Sequence, residues 1–270
     1  MLGEKLLEKI SVLDKGFVIL LDKMGSDESI EQAARVSYEK TRNKKDTEKL
    51  LRYLYRHEHL SPFEMAELKF HIKIPLFVFG QVVRHRTANL NVRSYRYSEF
   101  TENEYYFPSY ARFKKQAQIN KQGSGSEYAL TPESYALHKE SQRRINDLQF
   151  EQYEYLISQG VAREVARIHL PQSIYTEVMW KIDLRNLLHF LKLRLGKNAQ
   201  EEAQEYARAI SHFVKVHFPI TWAAFEDYTL NSVNLTKDEV KYLQSKLTKD
   251  DLESRGYSNR EINCVEELCK

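Results

Sequence analysis

Apolar and polar residues alternate most cleanly in two stretches. Leu68, Phe70, Ile72 and Ile74 interleave with Lys69, His71 and Lys73, and Ile174, Thr176, Val178, Trp180 and Ile182 interleave with Tyr175, Glu177, Met179 and Lys181. A period of two residues predicts half-buried strands. GFVILLD between Lys15 and Lys23, followed by Gly25, predicts a third. Helical spacing takes over elsewhere. Ile30, Ala33, Ala34 and Val36 follow a cap at Asp27 or Ser29. Leu50, Leu51, Leu54 and Tyr55 give an amphipathic helix over 46–57, interrupted by Pro62. PLFVFGQVVRHR opens on Pro75 and reads as a buried helix with Gln81, Arg84 and His85 on one face. A long charged helix is expected over 132–159 and a shorter one over 161–169, with Arg163 and Arg167 sharing a face. Asp183 can cap a helix whose Leu184, Leu187, Leu188 and Leu191 point inward before Gly196. One more amphipathic helix runs over 201–218, NKQGSGSE reads as a surface loop, and the charged chain beyond Leu230 as peripheral helices. No repeat or linker divides the chain, and helices around a sheet of strands distant in sequence make one α+β domain.

Composition narrows the function classes. With 42% hydrophobic residues in 270, a full core is available. The 41 Lys+Arg nearly cancel the 38 Asp+Glu, so a general polyanion binder is not indicated. Cys264 and Cys269 have neither CxxC nor Cys/His spacing, which argues against a disulfide framework or a zinc ribbon. His57, Glu58 and His59 lack a third ligand at a recognisable spacing, and no metal is expected. No apolar run approaches 18 residues, and Met1 to Ile10 holds two glutamates among its lysines, so neither a membrane span nor a signal peptide is readable and a cytoplasmic location is expected.

The near-balance hides a local asymmetry. From Leu68 through Ser98 there is no Asp or Glu, while Lys69, Lys73, Arg84, Arg86, Arg93 and Arg96 all fall inside. RHRTANLNVRSYRY, Arg84 to Tyr97, mixes guanidiniums with amides, a serine hydroxyl and two tyrosines. Arginine forks match phosphate bidentately, and aromatic or guanidinium faces suit a planar ring system. Such a stretch suits an anionic nucleotide or flavin site, a solvated basic edge over packed tyrosines, or a single-strand RNA-binding surface. The whole-chain charge weighs against the last.

The order of residues is more specific than their composition. Arg84-His85-Arg86, seven residues, then Ser94 is an RHR-x7-S signature, and with it the chain resembles the flavin-dependent thymidylate synthases. HEHLSPFE (57–64), ARVS (34–37), REVARIHLP (163–171) and DLRNLLHFLKLR (183–194) are similar to further segments of that family, in the same order, so that the resemblance covers about residues 15 to 228. It implies an α+β catalytic domain over 1–228, with a central antiparallel sheet flanked by helices, and a charged, helical extension over 229–270. It implies reductive methylation of dUMP to dTMP, with methylenetetrahydrofolate as carbon donor and NADPH as reductant through bound FAD. A homotetramer with FAD sites shared between subunits is implied too, with small-molecule substrates and no nucleic-acid or membrane partner.

Residue roles follow from the same resemblance. Arg84, His85 and Arg86 would contact FAD, Arg84 also lying near dUMP. Ser61 would donate a hydroxyl to FAD from a neighbouring subunit, and Asp183, Leu184, Arg185 and His189 would add further FAD contacts. Gln81, Ser94, Tyr95, Arg96 and Arg167 would hold the phosphate and sugar of dUMP. Arg194 resembles the arginine that stabilises the pyrimidine with N3 ionised, the catalytic role. Val92 stands where the family often carries glutamate, Met65 where it often carries histidine, and Asp183 and His189 replace asparagines. Both cysteines lie outside the resemblance, which leaves no thiol candidate to attack the uracil.

Overall fold

A computed structural model describes residues 8–36, 44–100, 104–118, 121, 123–246 and 254. Ser37 of the ARVS segment, Cys264 and Cys269 lie outside them. By its contacts the chain divides into Met1–Glu226 and Asp227–Lys270.

The first unit opens with strands β1 (Lys9–Val12) and β2 (Gly16–Met24), then helices α1 (Asp27–Ala34) and α2 (Lys44–Arg56) and a 3-10 turn at Ser61–Met65. Strand β3 (Glu67–Pro75) leads directly into α3 (Leu76–Val82), and β4 (Asn89–Val92) follows. A small hairpin, β5 (Lys114–Gln116) and β6 (Ser124–Tyr128), precedes the long helix α4 (Pro132–Ser158) and the short α5 (Arg163–Ala166). Strand β7 (Tyr175–Asp183) then runs straight into α6 (Leu184–Arg194), and α7 (Glu201–His217) and α8 (Pro219–Phe225) complete the unit. Within the second unit lies α9 (Lys237–Gln244), whose capping box joins Thr236 and Glu239.

The central sheet has the order β1-β2-β3-β7-β4 with every neighbouring pair antiparallel. This is the α+β architecture that the two alternating stretches predict. Phe70 lies opposite Trp180 in the β3–β7 register. Their face is dry: Leu68, Phe70, Ile72, Ile74, Val178, Trp180 and Ile182 are all buried. Phe213 of α7 and Phe190 of α6 pack onto it, with ring centroids 6.0 Å from Phe70 and 5.1 Å from Trp180 respectively. Burying one such side chain contributes about 2–3 kcal/mol, so this layer fixes how α6 and α7 cross the sheet. The opposite face carries the polar members of the alternation, with Lys181 paired to Glu67 and His71 to Glu177, each within 2.8 Å.

Two close contacts lock these elements together, one between sheet and helix and one between helices. The Tyr206 hydroxyl of α7 donates to the Lys73 carbonyl at 2.7 Å, over Gly16, where an added Cβ would lie 2.1 Å from that hydroxyl and 2.7 Å from the Val12 carbonyl. The Asp27 carboxylate accepts the Ile220 and Thr221 amides and the Thr221 hydroxyl at 2.6 to 3.1 Å, so one buried acid ties α1 to the first turn of α8. Burial raises the Asp27 pKa and those three bonds pull it part of the way back.

Several local expectations change. The α1 cap is Ser26, whose side chain accepts from the Ser29 amide; Asp27 stands one residue inside and turns away to α8. The helix expected through Arg86 ends at Val82, so Gln81 closes α3 while Arg84, His85 and Arg86 lie on the connection to β4 and do not share its face. The glycine- and serine-rich stretch contributes β6 of a hairpin rather than a bare loop. The helix expected over 161–169 is a single turn of α5 followed by a 3-10 turn at Arg167–His169. Strands β1 and β4 were not expected. Among the described residues no helix is long and apolar enough to cross a membrane.

Candidate functional site

Three groups of side chains gather the residues singled out above. The first forms where the C-terminal ends of α3 and α6 meet. Arg194, in the last turn of α6, donates from Nη2 to the Gln81 carbonyl at 3.1 Å. Its Nε is buried without a hydrogen-bond partner, and burial lowers the pKa of the guanidinium. The His85 ring sits edge-on to Phe190 at 4.9 Å and 5.9 Å from the His189 ring. Burial is the largest reason that the His85 pKa falls to about 4, with the nearby Arg194 and His189 adding to it. At neutral pH His85 is therefore an uncharged hydrogen-bonding ring beside a cation. The Gln81 side chain is held by Gln200, a partner that no pattern in the sequence indicates.

Just beyond this cluster the connection from α3 to β4 exposes Arg84 and Arg86, and neither guanidinium pairs with any described residue. Two free forks on one short loop make a surface ready to take an anion.

The second group lies at the other end of α6. Asp183 accepts from the amide and side chain of Asn186 at 2.9 and 2.7 Å, which commits its carboxylate to capping the helix. Arg185 pairs with Glu64 of the Ser61–Met65 turn, where Ser61 is exposed. Leu184 is different. Its side chain is fully buried and its amide donates to the Ala66 carbonyl at 2.8 Å, so that side chain belongs to the core.

The third group is the turn after β4. The Ser94 carbonyl accepts the Tyr97 and Ser98 amides and the Ser98 hydroxyl, leaving the Ser94 side chain exposed. Tyr95 points inward: its hydroxyl donates to the Tyr175 carbonyl at 3.1 Å, its ring stacks on Phe100 at 3.5 Å, and burial raises its pKa. Arg96 points outward and pairs with Glu164 at 2.8 Å, while Arg163 pairs with Glu99. Arg167 stands on the following 3-10 turn with no ion pair to a described residue. Beside the turn, a cleft of about 400 Å³ is lined by His71, Asn91, Arg93, Ser94, Glu177 and Met179 among others. Its acid, Glu177, was missed by sequence reasoning. The alternation places His71 and Glu177 on polar faces of their strands, and only the β3–β7 register brings them together.

Comparison with known proteins places the chain in a family. Residues 19–220 match the family described as Thymidylate synthase complementing protein. A flavin-dependent thymidylate synthase of Thermus thermophilus is 49% identical over 242 residues, covering 89% of this chain and 87% of the relative. One from Wolbachia pipientis wMel is 45% identical over 255 residues, covering 94% and 88%. Among solved structures, the UMP/dUMP methylase PolB from Streptomyces cacaoi, bound with 5-Br UMP, superposes with a TM-score of 0.72 at 29% identity. That likeness covers 83% of this chain and 99% of the other. Since the match runs from within β2 to the start of α8 and takes in Ser61, Arg84 to Arg96, Arg167 and Asp183 to Arg194, this chain belongs to the flavin-dependent thymidylate synthase family.

Proposed function

We propose that the protein methylates dUMP to dTMP reductively, taking carbon from methylenetetrahydrofolate and reducing equivalents from NADPH through FAD, with no cysteine nucleophile. The observation that carries this reading is the meeting of α3 and α6, where a partly buried arginine with a buried, unpaired Nε stands beside a neutral histidine. The domain is taken as 1–228, with 229–270 as a helical extension.

Each group has a task on this reading. Ser94, Arg96 and Arg167 supply a hydroxyl and two guanidiniums for the dUMP phosphate, which competes with Glu164 for Arg96. Tyr95 acts through its main chain, since its ring is committed to the interior. Arg194, anchored by the Gln81 carbonyl, places positive charge in a partly dry site and favours negative charge on the uracil ring, which enriches the carbon that must react. Gln81, already bound to Gln200, helps hold that corner.

The residues fit a flavin dinucleotide. Arg84 and Arg86 suit its phosphates, His85 and His189 its polar ring edges, and Arg185, about 13 Å from Arg194 at 1.5 Å per residue along α6, a more distant part, with Ser61 reaching the cofactor from a neighbouring subunit. Bound FAD supplies the hydride relay. Asp183 contributes by capping the helix that presents Arg185 and His189.

Support for a reaction without a thiolate is that residues 19–220 contain no cysteine. A homotetramer is carried from the family, and exposed Leu137, Leu148 and Tyr155 on α4 are apolar side chains available to a second copy.

Tritium release from 5-tritiated dUMP tests the reading. Release should require methylenetetrahydrofolate, NADPH and flavin, and should persist when Cys264 and Cys269 are both replaced by serine. Colourless protein that cannot be reconstituted with FAD, or loss of release in the cysteine-free variant, would overturn it.

A further inference from the structure

We propose that Glu177 is a positioning residue for the nucleotide: from β7 it holds the turn bearing Ser94 and Arg96 and so sets affinity without touching the ligand. The inference rests on reading Ser94 and Arg96 as contacts of the dUMP phosphate.

Glu177 lies on the polar face of β7 and grips one neighbour twice. Its carbonyl accepts the Arg93 amide at 2.8 Å, and its Oε1 accepts from Arg93 Nη1 at 3.2 Å. Its other carboxylate oxygen meets His71 Nε2 at 2.7 Å, so the side chain is braced from β3 as well. Arg93 immediately precedes Ser94 and passes the constraint along. Its Nε donates to the Ser98 hydroxyl at 3.2 Å, that hydroxyl donates to the Ser94 carbonyl at 3.1 Å, and the guanidinium lies 5.5 Å from the Tyr95 ring centroid. The path from Glu177 therefore crosses the turn from its first residue to its last.

Exposure separates this role from a purely structural one. The Arg93 and Glu177 side chains are 39% and 33% exposed, and an ion pair so open to water contributes little to the stability of a fold. What the pair does fix is the orientation of a polar turn that has no hydrophobic anchor other than Tyr95. A phosphate site requires its donors to be preset, because ordering them on binding is subtracted from affinity.

Titration with dUMP, together with saturation kinetics and flavin content, distinguishes the cases for Glu177→Ala, Arg93→Ala, the double variant and Glu177→Gln. Losing one charge-assisted hydrogen bond from the path should raise Kd and KM for dUMP on the order of tenfold. Turnover at saturation should stay within about twofold and flavin content should be unchanged, since neither residue meets the reacting atoms. The double variant should match the singles, because both act through one path. Glu177→Gln, nearly isosteric, keeps an acceptor for Arg93 and should weaken dUMP less than Glu177→Ala; it decides the matter if the alanine variant does not fold. Unchanged dUMP affinity in Glu177→Gln and Glu177→Ala, a multiplicative loss in the double variant, or loss of flavin alone overturns the proposal while leaving the dUMP reading intact. Absence of dUMP binding by the wild-type protein overturns that reading, and this inference with it.

Discussion

Acid should unsettle the folded protein through His85 before it reaches most carboxylates. The ring has a pKa of about 4 in the fold against 6.5 in an unfolded chain. A histidine with a depressed pKa favours folding fully above 6.5, and that contribution is lost as pH falls from 6.5 toward 4, because the unfolded chain takes up the proton first. Linkage with these two values gives about 2 kcal/mol lost between pH 7 and pH 5. The ring is partly exposed, so water screens some of the shift and about 1 kcal/mol is the expected loss. Urea unfolding of wild type and His85→Gln at pH 7, 6 and 5 reads the difference directly. His217, whose pKa is also lowered chiefly by burial, acts with the same sign in both proteins and cancels. A ring-labelled NMR titration assigns the group. Removing the cation in Arg194→Gln should then raise the His85 pKa by less than half of the gap between 4 and 6.5, because burial rather than Arg194 is the larger cause. A ring that titrates near 6.5 in the folded protein, or parallel pH dependence in the two proteins, would refute the reasoning.

Other outcomes follow from single contacts. Asp27→Ala strands two amides and a hydroxyl at the start of α8 and should cost about 3 kcal/mol, lowering the thermal midpoint by about 10 °C; a drop under 2 °C would show that water replaces the carboxylate. Gly16→Ala should destabilise by about 2 kcal/mol in denaturant unfolding, and Tyr206→Phe should relieve part of it by removing the nearest clashing atom; no relief would locate the strain at the Val12 and Lys73 carbonyls instead. Arg194→Ala should abolish dTMP formation while the protein remains yellow, and full activity would remove Arg194 from the chemistry.

What the sequence discloses depends on how far apart the interacting residues lie. β3 and β7 were legible because one side of each is dry and the other charged, so alternation along a single strand carries the information. β4 was not: Asn89 to Val92 is four residues on a sheet edge, and its pairing with β7 is specified by residues almost ninety positions away. The end of α3 was misplaced because VVRHR continues a helical pattern, and nothing local says that Arg84 must turn out toward solvent. The cap of α1 is Ser26 rather than the expected Asp27 or Ser29, because the Asp27 carboxylate is committed to α8. For the site, the order of arginines and serine was readable, since motif spacing is a local property. Gln200 beneath Gln81 and Glu177 behind Arg93 were not, since each is a contact between distant segments on an otherwise ordinary polar face. Leu184 illustrates the reverse: its helical periodicity already places it on the inward face, and its burial agrees with that pattern.

The β3–β7 pair sets a ruler for the site. Glu67 stands opposite Asp183 and Pro75 opposite Tyr175, so α3 and α6 leave the sheet from opposite ends and run back over the same buried face. Nine strand residues span about 30 Å, while seven and eleven helical residues together span about 27 Å. The two helix ends are thereby brought to within one hydrogen bond of each other, Arg194 to Gln81. Lengthening both strands by two residues would open that gap by about 6–7 Å and pull the arginine from its carbonyl, whereas the same insertion in the β5–β6 hairpin would leave it unchanged. The tolerance of this protein to insertions is thus a property of the distance between its helix ends, and it should be lowest in the two strands that set that distance.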